Sequence, residues 1–330
     1  MATKVLYLSH APDDVYAIIR AQAPPACELI TLDRDDDVER IAKLQDVEVV
    51  IVAAHHFSRP LIAAARSLRL VHHQGVGFQD TIDLPVLATR NVRLALTPAG
   101  TTDGVAEHTV LLMLAVLKRL PFADRELREG RFHINALRPV SRELKGMTIG
   151  YVGMGRIGQA VAERLVAFGT RGLYFDAAVK LAPEREASLG VTAAPLARVL
   201  AETDVITLHV PLTASTRHLL DTSALALMKS GAYLVNTARG GLVDERALTN
   251  ALASGHLAGA ALDVFECEPP PTSPLFALPN VVLTPHISAG TRDALATKMR
   301  ALFANVARFY GGEPLADEVD LAPWRERIPA

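Results

Sequence analysis

The chain has 330 residues, which is enough for roughly two domains of ordinary size. Half of the residues are apolar and 21% are charged, so we expect a folded globular protein, and disorder as the main state is excluded. Because 34 basic side chains are balanced by 36 acidic ones, the net charge of -2 gives no global attraction to nucleic acid or to an anionic membrane.

The cysteines and the apolar runs exclude further classes of protein. Cys27 and Cys267 lie far apart in the sequence, which argues against a disulfide framework and against a cysteine zinc site. The apolar run near the N-terminus is too short for a signal peptide, and the run at 110–117 is less than half of a membrane span. We therefore expect a cytoplasmic protein with no metal and with no membrane or nucleic-acid partner.

Short β-rich runs alternate with helix-like segments from the N-terminus onward. The first series of predicted strands consists of 5–8, 47–52, 70–72 and 92–96. A helix is predicted at 60–67, where a proline at the first position fits the first helical turn. Strands separated by helices are typical of βαβ units, so we predict a parallel sheet for this part of the chain.

The same alternation starts again in the middle of the chain. The second series of predicted strands consists of 148–152, 172–175, 205–210, 232–236, 259–264 and 281–284. These runs are apolar on both alternating faces, as expected for a sheet that is covered by helices on both sides. The sequence thus predicts two successive α/β units.

Two segments are predicted to connect these units. Residues 100–103 precede an apolar helix predicted at 105–117, and residues 288–291 precede another helix predicted at 293–310. If this last helix packs on the first unit, the N-terminal domain is discontinuous. Residues 118–145 are polar and irregular in pattern, and we interpret them as a surface arm or a subunit contact.

The most informative segment lies between the strand at 148–152 and the helix predicted at 159–168. Gly153, Gly155 and Gly158 form the spacing G-x-G-x-x-G at this point. The first glycine permits a tight turn, the second lets a pyrophosphate approach the backbone, and the third lets the helix pack closely on the strand. The segment therefore predicts a dinucleotide site.

One acidic residue indicates which dinucleotide is bound. Asp176 ends the next β-run, 18 residues after Gly158, where a carboxylate accepts hydrogen bonds from the adenosine ribose hydroxyls. Its negative charge would repel a 2′-phosphate, so NAD is favoured over NADP. Lys180 lies nearby in the sequence and slightly weakens this preference.

Three polar side chains each follow a predicted strand of the second unit: Arg239, Glu268 and His286. In an open parallel sheet, residues beyond the carboxyl ends of the strands line the ligand crevice. A guanidinium can hold a carboxylate in a planar fork, an imidazole can exchange a proton with an oxygen, and a carboxylate can orient that imidazole. The set suits hydride chemistry on a carboxylate-bearing substrate. Glu266 is an alternative to Glu268, but the position next to Pro269 favours Glu268.

Two pairs of neighbouring histidines are candidate metal ligands. His55 and His56 follow one predicted strand, and His72 and His73 lie at the end of another. Neighbouring strand residues point to opposite faces, so neither pair can chelate a metal from one side. We interpret both pairs as mostly structural, with His55 or His56 as an alternative wall of a pocket.

Five ordered motifs in the second unit carry a family resemblance. They start at residues 144, 208, 228, 261 and 283 and read LKGMTIGYVGMGRIG, LHVPLT, MKSGAYLVNTARGGLVD, ALDVFECEP and LTPHIS. In the first part of the chain, GVGFQDTIDL from residue 75 and VAEHT from residue 105 fit as well. On these motifs nearly the whole chain resembles the D-isomer-specific 2-hydroxyacid dehydrogenases.

The resemblance implies roles for individual residues. Arg239 would bind the substrate carboxylate and carbonyl, His286 would be the acid/base, and Glu268 would be its partner. The backbone of Val76 and Gly77 would help to bind the substrate carboxylate. The residues that would contact the dinucleotide are Gly153, Gly155, Arg156, Ile157, Gly158, Asp176, His209, Val210, Pro211, Thr237, Ala238 and, beside the nicotinamide ring, Asp263.

The resemblance also implies an architecture. We expect two Rossmann-like or flavodoxin-like α/β domains with parallel sheets and an active site in the cleft between them. Residues 1–103 and 291–330 would form a discontinuous substrate-binding domain, and 104–290 would form the NAD-binding Rossmann domain. A homodimer through the nucleotide domain is expected, and we expect no C-terminal regulatory domain.

The expected function is the NAD-dependent interconversion of a 2-oxo acid and a D-2-hydroxy acid by hydride transfer. An extra residue in the loop at residue 75, and the order Ser-Ala-Gly at 288–290 where the family usually has Gly-Ser-Ala, leave the substrate open. The thin supply of fixed positive charge near the loop favours small unphosphorylated acids. The alternative is a non-enzymatic NAD(H)-sensing interaction protein of the corepressor type, because such corepressors share these residues.

Overall fold

The computed structural model describes residues 3–325, which divide into two compact units. The first unit combines the residues up to Thr101 with those from Thr291 onward, and the second unit is Thr102–Gly290. The first unit is therefore built from two separate stretches of sequence, and each unit contains a sheet of its own.

The first unit is a six-stranded sheet flanked by helices. Its strands are β1 (Thr3–Tyr7), β2 (Cys27–Ile30), β3 (Val49–Val52), β4 (Leu70–His73), β5 (Arg93–Leu96) and β13 (Glu318–Val319). Its helices are α1 (Asp13–Arg20), α2 (Asp37–Leu44), α3 (Arg59–Ala64), α4 (Leu84–Ala88), α12 (Arg292–Tyr310) and α13 (Ala322–Arg325). The strand order is β13-β5-β4-β3-β1-β2.

Both faces of this sheet are buried, which explains its continuous apolar strands. Leu6 and Val50 pack on one face, whereas Val5 and Val49, their neighbours in sequence, pack on the other. Strands β1 to β5 are parallel, as predicted, but β13 pairs with β5 in the antiparallel direction. This strand is two residues long, and no pattern in so short a segment predicts it.

The second unit is a seven-stranded parallel sheet with helices on both faces. Its strands are β6 (Thr148–Val152), β7 (Arg171–Phe175), β8 (Val191–Ala193), β9 (Val205–Leu208), β10 (Tyr233–Asn236), β11 (Gly259–Leu262) and β12 (Val281–Leu283). Its helices are α5 (Thr102–Leu117), α6 (Leu120–Arg128), α7 (Arg156–Val166), α8 (Pro183–Leu189), α9 (Leu196–Glu202), α10 (Thr222–Leu227) and α11 (Glu245–Ala253). The strand order is β12-β11-β10-β9-β6-β7-β8.

The core of the second unit also has two layers. Val235 packs with Leu112 of α5 on one face of the sheet, and Leu234 packs with Leu248 of α11 on the other. This arrangement confirms the expected doubly covered α/β sheet. One expectation was wrong: the segment 118–145 is not irregular throughout, because α6 occupies its first part.

None of the helices within residues 3–325 is long and apolar enough to cross a membrane. Over the same residues, no group of three or more His, Cys, Asp or Glu side chains could hold a metal ion.

Candidate active site

Three neighbouring strands of the second unit bring the predicted polar residues to one edge of the sheet. Strands β10, β11 and β12 are adjacent and parallel, so their carboxyl ends lie side by side. Arg239 follows β10, Glu268 follows β11 and His286 follows β12. The structure brings Glu268 and His286 into direct contact.

The contact between His286 and Glu268 is a short hydrogen bond of 2.7 Å from Nδ1 to Oε2. Burial raises the pKa of Glu268, but the hydrogen bond and charge of His286 and the charge of Arg239 outweigh this and lower the pKa below its usual value. Oε1 of Glu268 accepts the backbone N–H of Phe265 at 3.0 Å. The carboxylate is thus ionised and fixed, and it orients the imidazole so that Nε2 lies on the far side of the ring.

The structure separates Glu266 from this pair. Its Oε1 accepts the backbone N–H of Glu245 at 2.9 Å, and the Glu245 side chain in turn accepts the N–H of Glu266 at 2.7 Å. His218 lies 3.3 Å from the same Glu266 oxygen. Glu266 therefore joins the loop after β11 to the start of α11 and does not contact His286.

Asp263 holds the backbone of the loop that carries His286. Its side chain is completely buried, and it accepts the N–H groups of Ile287 and Ser288, each at 2.9 Å. The Asp263 carbonyl oxygen also accepts the N–H of His286 at 2.8 Å. These bonds hold His286 at a φ of +53°, in the left-handed region. The family resemblance implies only a position beside the nicotinamide ring for Asp263.

His108 is a site residue that the sequence analysis did not single out. It lies on α5, and its Nε2 is 3.1 Å from Oγ1 of Thr284 and 3.5 Å from Oδ1 of Asp263. Thr284 donates to the same Asp263 oxygen at 2.6 Å. The motif VAEHT contained the signal, because it placed a histidine on the helix that packs beside β11 and β12.

The turn that carries Arg239 is fixed by its own backbone and by a glycine. Asn236 donates from Nδ2 to the Arg239 carbonyl at 2.9 Å, and it accepts the Ala238 N–H at 3.0 Å. A Cβ atom at Gly240 would collide with the backbone of Phe265. The Arg239 turn therefore packs directly on the loop that leads to Glu268.

The glycine-rich turn fits a dinucleotide pyrophosphate. Gly153 has a φ of +101°, and a Cβ atom there would lie 2.6 Å from the His209 backbone. A Cβ atom at Gly158 would collide with the Gly153 carbonyl, whereas one at Gly155 would meet nothing within 4 Å. Helix α7 begins directly after Gly155, earlier than predicted, so its N-terminus adjoins an open backbone surface.

Asp176 lies where an adenosine ribose acceptor is expected, at the end of β7. Its Oδ2 accepts the Met154 N–H at 2.7 Å, and its Oδ1 accepts the N–H groups of Ala178 and Val179, both at 2.8 Å. Burial raises the pKa of Asp176, but these three backbone donors outweigh it and lower the pKa below its usual value. A fixed negative charge therefore stands next to the glycine turn.

Five further predicted cofactor residues follow the ends of β9 and β10, and Arg156 and Ile157 lie in the first turn of α7. The five are His209, Val210, Pro211, Thr237 and Ala238. Burial lowers the pKa of His209 to about 3, so its ring is neutral, and its Nε2 is 3.0 Å from Oγ1 of Thr207. Oγ1 of Thr237 is 2.8 Å from Oγ1 of Thr109 on α5. Val210 and Pro211 lie beyond β9, which ends at Leu208.

Within the first unit, Val76 and Gly77 lie in the loop that follows β4. The side chain of Val76 is exposed, whereas Phe78 is buried and stacks edge-on against Trp324, with the ring centroids 6.0 Å apart. The loop therefore has an exposed side chain at Val76 and an anchored end at Phe78.

Comparison with known proteins agrees with this geometry. A family model described as "D-isomer specific 2-hydroxyacid dehydrogenase, NAD binding domain" matches residues 110–288, more than half of the chain. The chain is 38% identical to a glyoxylate reductase of Korarchaeum cryptofilum, over 88% of this chain and 85% of that protein. It is 37% identical to the D-3-phosphoglycerate dehydrogenase of Mycobacterium bovis, over 91% of this chain but only 58% of that protein.

A solved structure is similar over the full length. It is the NADPH-dependent glyoxylate/hydroxypyruvate reductase of Sinorhizobium meliloti, determined in complex with NADP and malonate. The two chains share 31% sequence identity with a TM-score of 0.84, and the match covers 100% of each. The chain thus spans less than two-thirds of the phosphoglycerate dehydrogenases that it matches, but the whole of this reductase.

Proposed function

Because the chain belongs to the D-isomer-specific 2-hydroxyacid dehydrogenase family, we propose that it is an NAD-dependent oxidoreductase that interconverts a small 2-oxo acid and a D-2-hydroxy acid. The observation that carries this proposal is the 2.7 Å bond between His286 and Glu268 at the strand edge that also bears Arg239. A charged carboxylate behind an imidazole is the arrangement that general acid–base catalysis on a substrate oxygen requires.

Each of the three side chains has a separate role in this proposal. Arg239 binds the substrate carboxylate through its planar guanidinium and stabilises negative charge on the substrate oxygen. His286 gives a proton from Nε2 to that oxygen in the reduction and removes it in the oxidation. Glu268 orients the ring and stabilises its protonated form. The nicotinamide, when bound, supplies or accepts the hydride.

We also propose that NAD is preferred over NADP. Asp176 is ionised, because three backbone N–H groups stabilise its carboxylate. A 2′-phosphate at the ribose would approach this charge and be repelled. The Sinorhizobium meliloti relative is named as NADPH-dependent, so the preference is a property to be tested for this chain and is not shared by every relative.

The surroundings of the loop after β4 favour an unphosphorylated substrate. Burial lowers the pKa of His72 to about 4, so its ring carries no charge at neutral pH. Burial also lowers the pKa of His55, and Oδ1 of Asp37 lies 3.2 Å from its Nε2. These histidines therefore offer no lasting positive charge to a phosphate dianion.

We propose a homodimer that forms through the nucleotide-binding unit. On and after α6, four large apolar side chains are more than half exposed: Leu120, Leu127, Phe132 and Ile134. Several exposed large apolar side chains within one short segment are typical of a protein–protein contact. A second copy of this chain is the occupant that we propose.

The test of the activity is an NADH-consumption assay with glyoxylate, hydroxypyruvate, pyruvate and 3-phosphohydroxypyruvate, repeated with NADPH. We expect turnover of at least one unphosphorylated acid, a lower kcat/KM for the phosphorylated one, and a lower kcat/KM with NADPH. The variant His286→Ala should lose about 10²- to 10⁴-fold in kcat, because it lacks the proton donor, and should still bind NADH.

His256→Ala is the matched control, because His256 lies at the amino ends of the strands and bonds to the Leu225 carbonyl at 3.1 Å. It should keep the activity of the unaltered chain. Binding of NADH without turnover of any acid would overturn the enzymatic proposal and favour a dinucleotide-sensing interaction protein. Equal turnover by His286→Ala would overturn the role of His286.

A further inference from the structure

His72 and His73 are consecutive buried residues of β4, and the proposed reaction uses neither of them. Because neighbouring strand residues point to opposite faces of a sheet, the two imidazoles enter different surroundings. His73 bonds directly to the segment 75–78, which we call the Gly75 loop, and His72 contacts Thr97, whose N–H bonds to the Gly75 carbonyl.

His73 binds the beginning of the Gly75 loop. Its Nδ1 accepts the backbone N–H of Gly75 at 3.0 Å, so in the neutral ring the proton is on Nε2. Nε2 lies 3.0 Å from Oγ1 of Thr81. The Thr81 hydroxyl then donates to the Phe78 carbonyl at 3.3 Å, which is the end of the loop. His73 and Thr81 together connect both ends of the Gly75 loop.

A second chain of hydrogen bonds supports the same loop from the other side. The N–H of Thr97 donates to the Gly75 carbonyl at 3.1 Å, and its hydroxyl donates to the His73 carbonyl at 2.9 Å. Nδ1 of His72 lies 3.2 Å from this hydroxyl, and Nε2 of His72 accepts from Asn305 at 3.0 Å. The loop is thus tied to β5 and to α12.

The sequence of the loop explains why such ties are needed. Gly75 and Gly77 flank Val76, and glycine has more backbone freedom than any other residue. Two backbone amides can bind a carboxylate together only if their directions are fixed before the ligand arrives. Hydrogen bonds at both ends of the loop fix its backbone when the protein folds. The conformational entropy of the loop is therefore not lost when the substrate binds.

We propose that His73 and Thr81 are positioning residues that hold the amides of Val76 and Gly77 in the conformation that binds the substrate carboxylate. The inference rests on the proposed function, because the ligand that these amides would bind is the carboxylate of a 2-oxo acid. Neither side chain touches the substrate; both act through the backbone of the Gly75 loop. The His73 ring accepts a hydrogen bond at Nδ1 and contacts the Thr81 hydroxyl at Nε2, and few other side chains can make both contacts.

The first test compares Thr81→Val with Thr81→Ser. Valine keeps the shape of the side chain and removes the hydroxyl, so the KM for the 2-oxo acid should rise by about tenfold, the usual worth of one hydrogen bond. The values of kcat and of the KM for NADH should change by less than about twofold, because the chemistry and the nucleotide contacts are retained. Serine keeps the hydroxyl and should restore the original KM.

A second pair of variants tests His73 itself. His73→Asn can still accept the Gly75 N–H through its amide oxygen, whereas His73→Leu cannot. The KM for the 2-oxo acid should therefore rise more in His73→Leu than in His73→Asn. Hydrogen exchange of the amides in the Gly75 loop should be faster in His73→Leu and in Thr81→Val, and unchanged in Thr81→Ser.

Calorimetric binding of oxamate in the presence of NADH separates this inference from the proposed function. If the unaltered chain binds oxamate but turns over no acid, the proposed activity is contradicted. If Thr81→Val then binds oxamate about tenfold more weakly, the positioning role is supported. Unchanged KM, oxamate affinity and loop exchange in Thr81→Val would overturn the positioning role. A parallel loss of kcat, both KM values and melting temperature would overturn it too, because that is the result of a structural defect.

Discussion

At the scale of single residues, the position of His286 depends on a partner far away in sequence. The motif LTPHIS indicates that a histidine follows β12, but its left-handed backbone is held by Asp263, 23 residues earlier. The Asp263 carboxylate accepts hydrogen bonds from two successive backbone N–H groups, and these bonds replace the ones that water would otherwise make. The geometry of the acid–base pair is therefore decided by a buried carboxylate that does not touch it.

Replacing Glu268 by Gln tests the proposed acid–base pair. Although burial raises the pKa of Glu268, His286 and Arg239 lower it, so the carboxylate stays ionised to lower pH than an ordinary glutamate. Its contribution to catalysis is present above this pKa and is lost as the pH falls through it. In Glu268→Gln we expect kcat to be about 10- to 100-fold lower at neutral pH, because the charge that stabilises protonated His286 is gone.

The measurement is kcat against pH from about pH 3 to about pH 9, so that the range extends below the lowered pKa of Glu268. The decline on the acid side that Glu268 causes in the unaltered chain should be absent from Glu268→Gln. The matched control is Glu266→Gln, which removes a nearby carboxylate that bonds to the Glu245 N–H and not to His286. If both variants gave the profile of the unaltered chain, the catalytic role of Glu268 would be wrong.

At the scale of helices and strands, the sequence predicts elements whose pattern is local. Strands such as β3 and β12 are continuously apolar, and ten of the thirteen strands within residues 3–325 are predicted within two residues at each end. The strands β2, β8 and β13 and the helix α6 are not predicted. Formation of β13 depends on the free edge of β5, and α6 contains only Glu126 as a buried residue. The roles of the predicted site residues remain predictions, although the pairing of Glu268 and His286 is observed.

Gly240→Ala tests the close packing between the Arg239 turn and the loop before Glu268. An added Cβ atom would collide with the Phe265 backbone, and two backbone segments have to separate to accommodate it. We expect a loss of about 1–3 kcal/mol in the free energy of unfolding and a higher KM for the 2-oxo acid, since Arg239 moves with the turn. Thermal unfolding and steady-state kinetics measure the two effects.

The control for this variant is Gly231→Ala. Gly231 has a φ of +81°, and a Cβ atom there would meet nothing within 4 Å, so alanine introduces backbone strain without a collision. Stability should fall by about 1 kcal/mol with KM unchanged. A Gly240→Ala variant with the KM of the unaltered chain would contradict the link between this packing and substrate binding.

At the scale of the whole molecule, the proposed dimer contact is a property of one surface. We expect light scattering to give twice the mass of one chain. The double variant Leu127→Glu/Phe132→Glu should give the mass of one chain, because a charge in an apolar interface is costly to desolvate. The control is Val38→Glu, on α2 of the first unit, where the side chain is also exposed. It should leave the mass doubled; a doubled mass in the Leu127/Phe132 variant would contradict the proposed interface.

The discontinuity of the first unit has a consequence for synthesis on the ribosome. Strands β1 to β5 are made first, yet the helix that buries one face of their sheet, α12, and the strand that covers the β5 edge, β13, are made last. Chains are synthesised from the N-terminus at about 5–20 residues per second, so the early strands wait about ten seconds or longer for these partners. The second unit is synthesised during this interval and has all of its own residues before α12 is made, so it is the part of the nascent chain that can fold first.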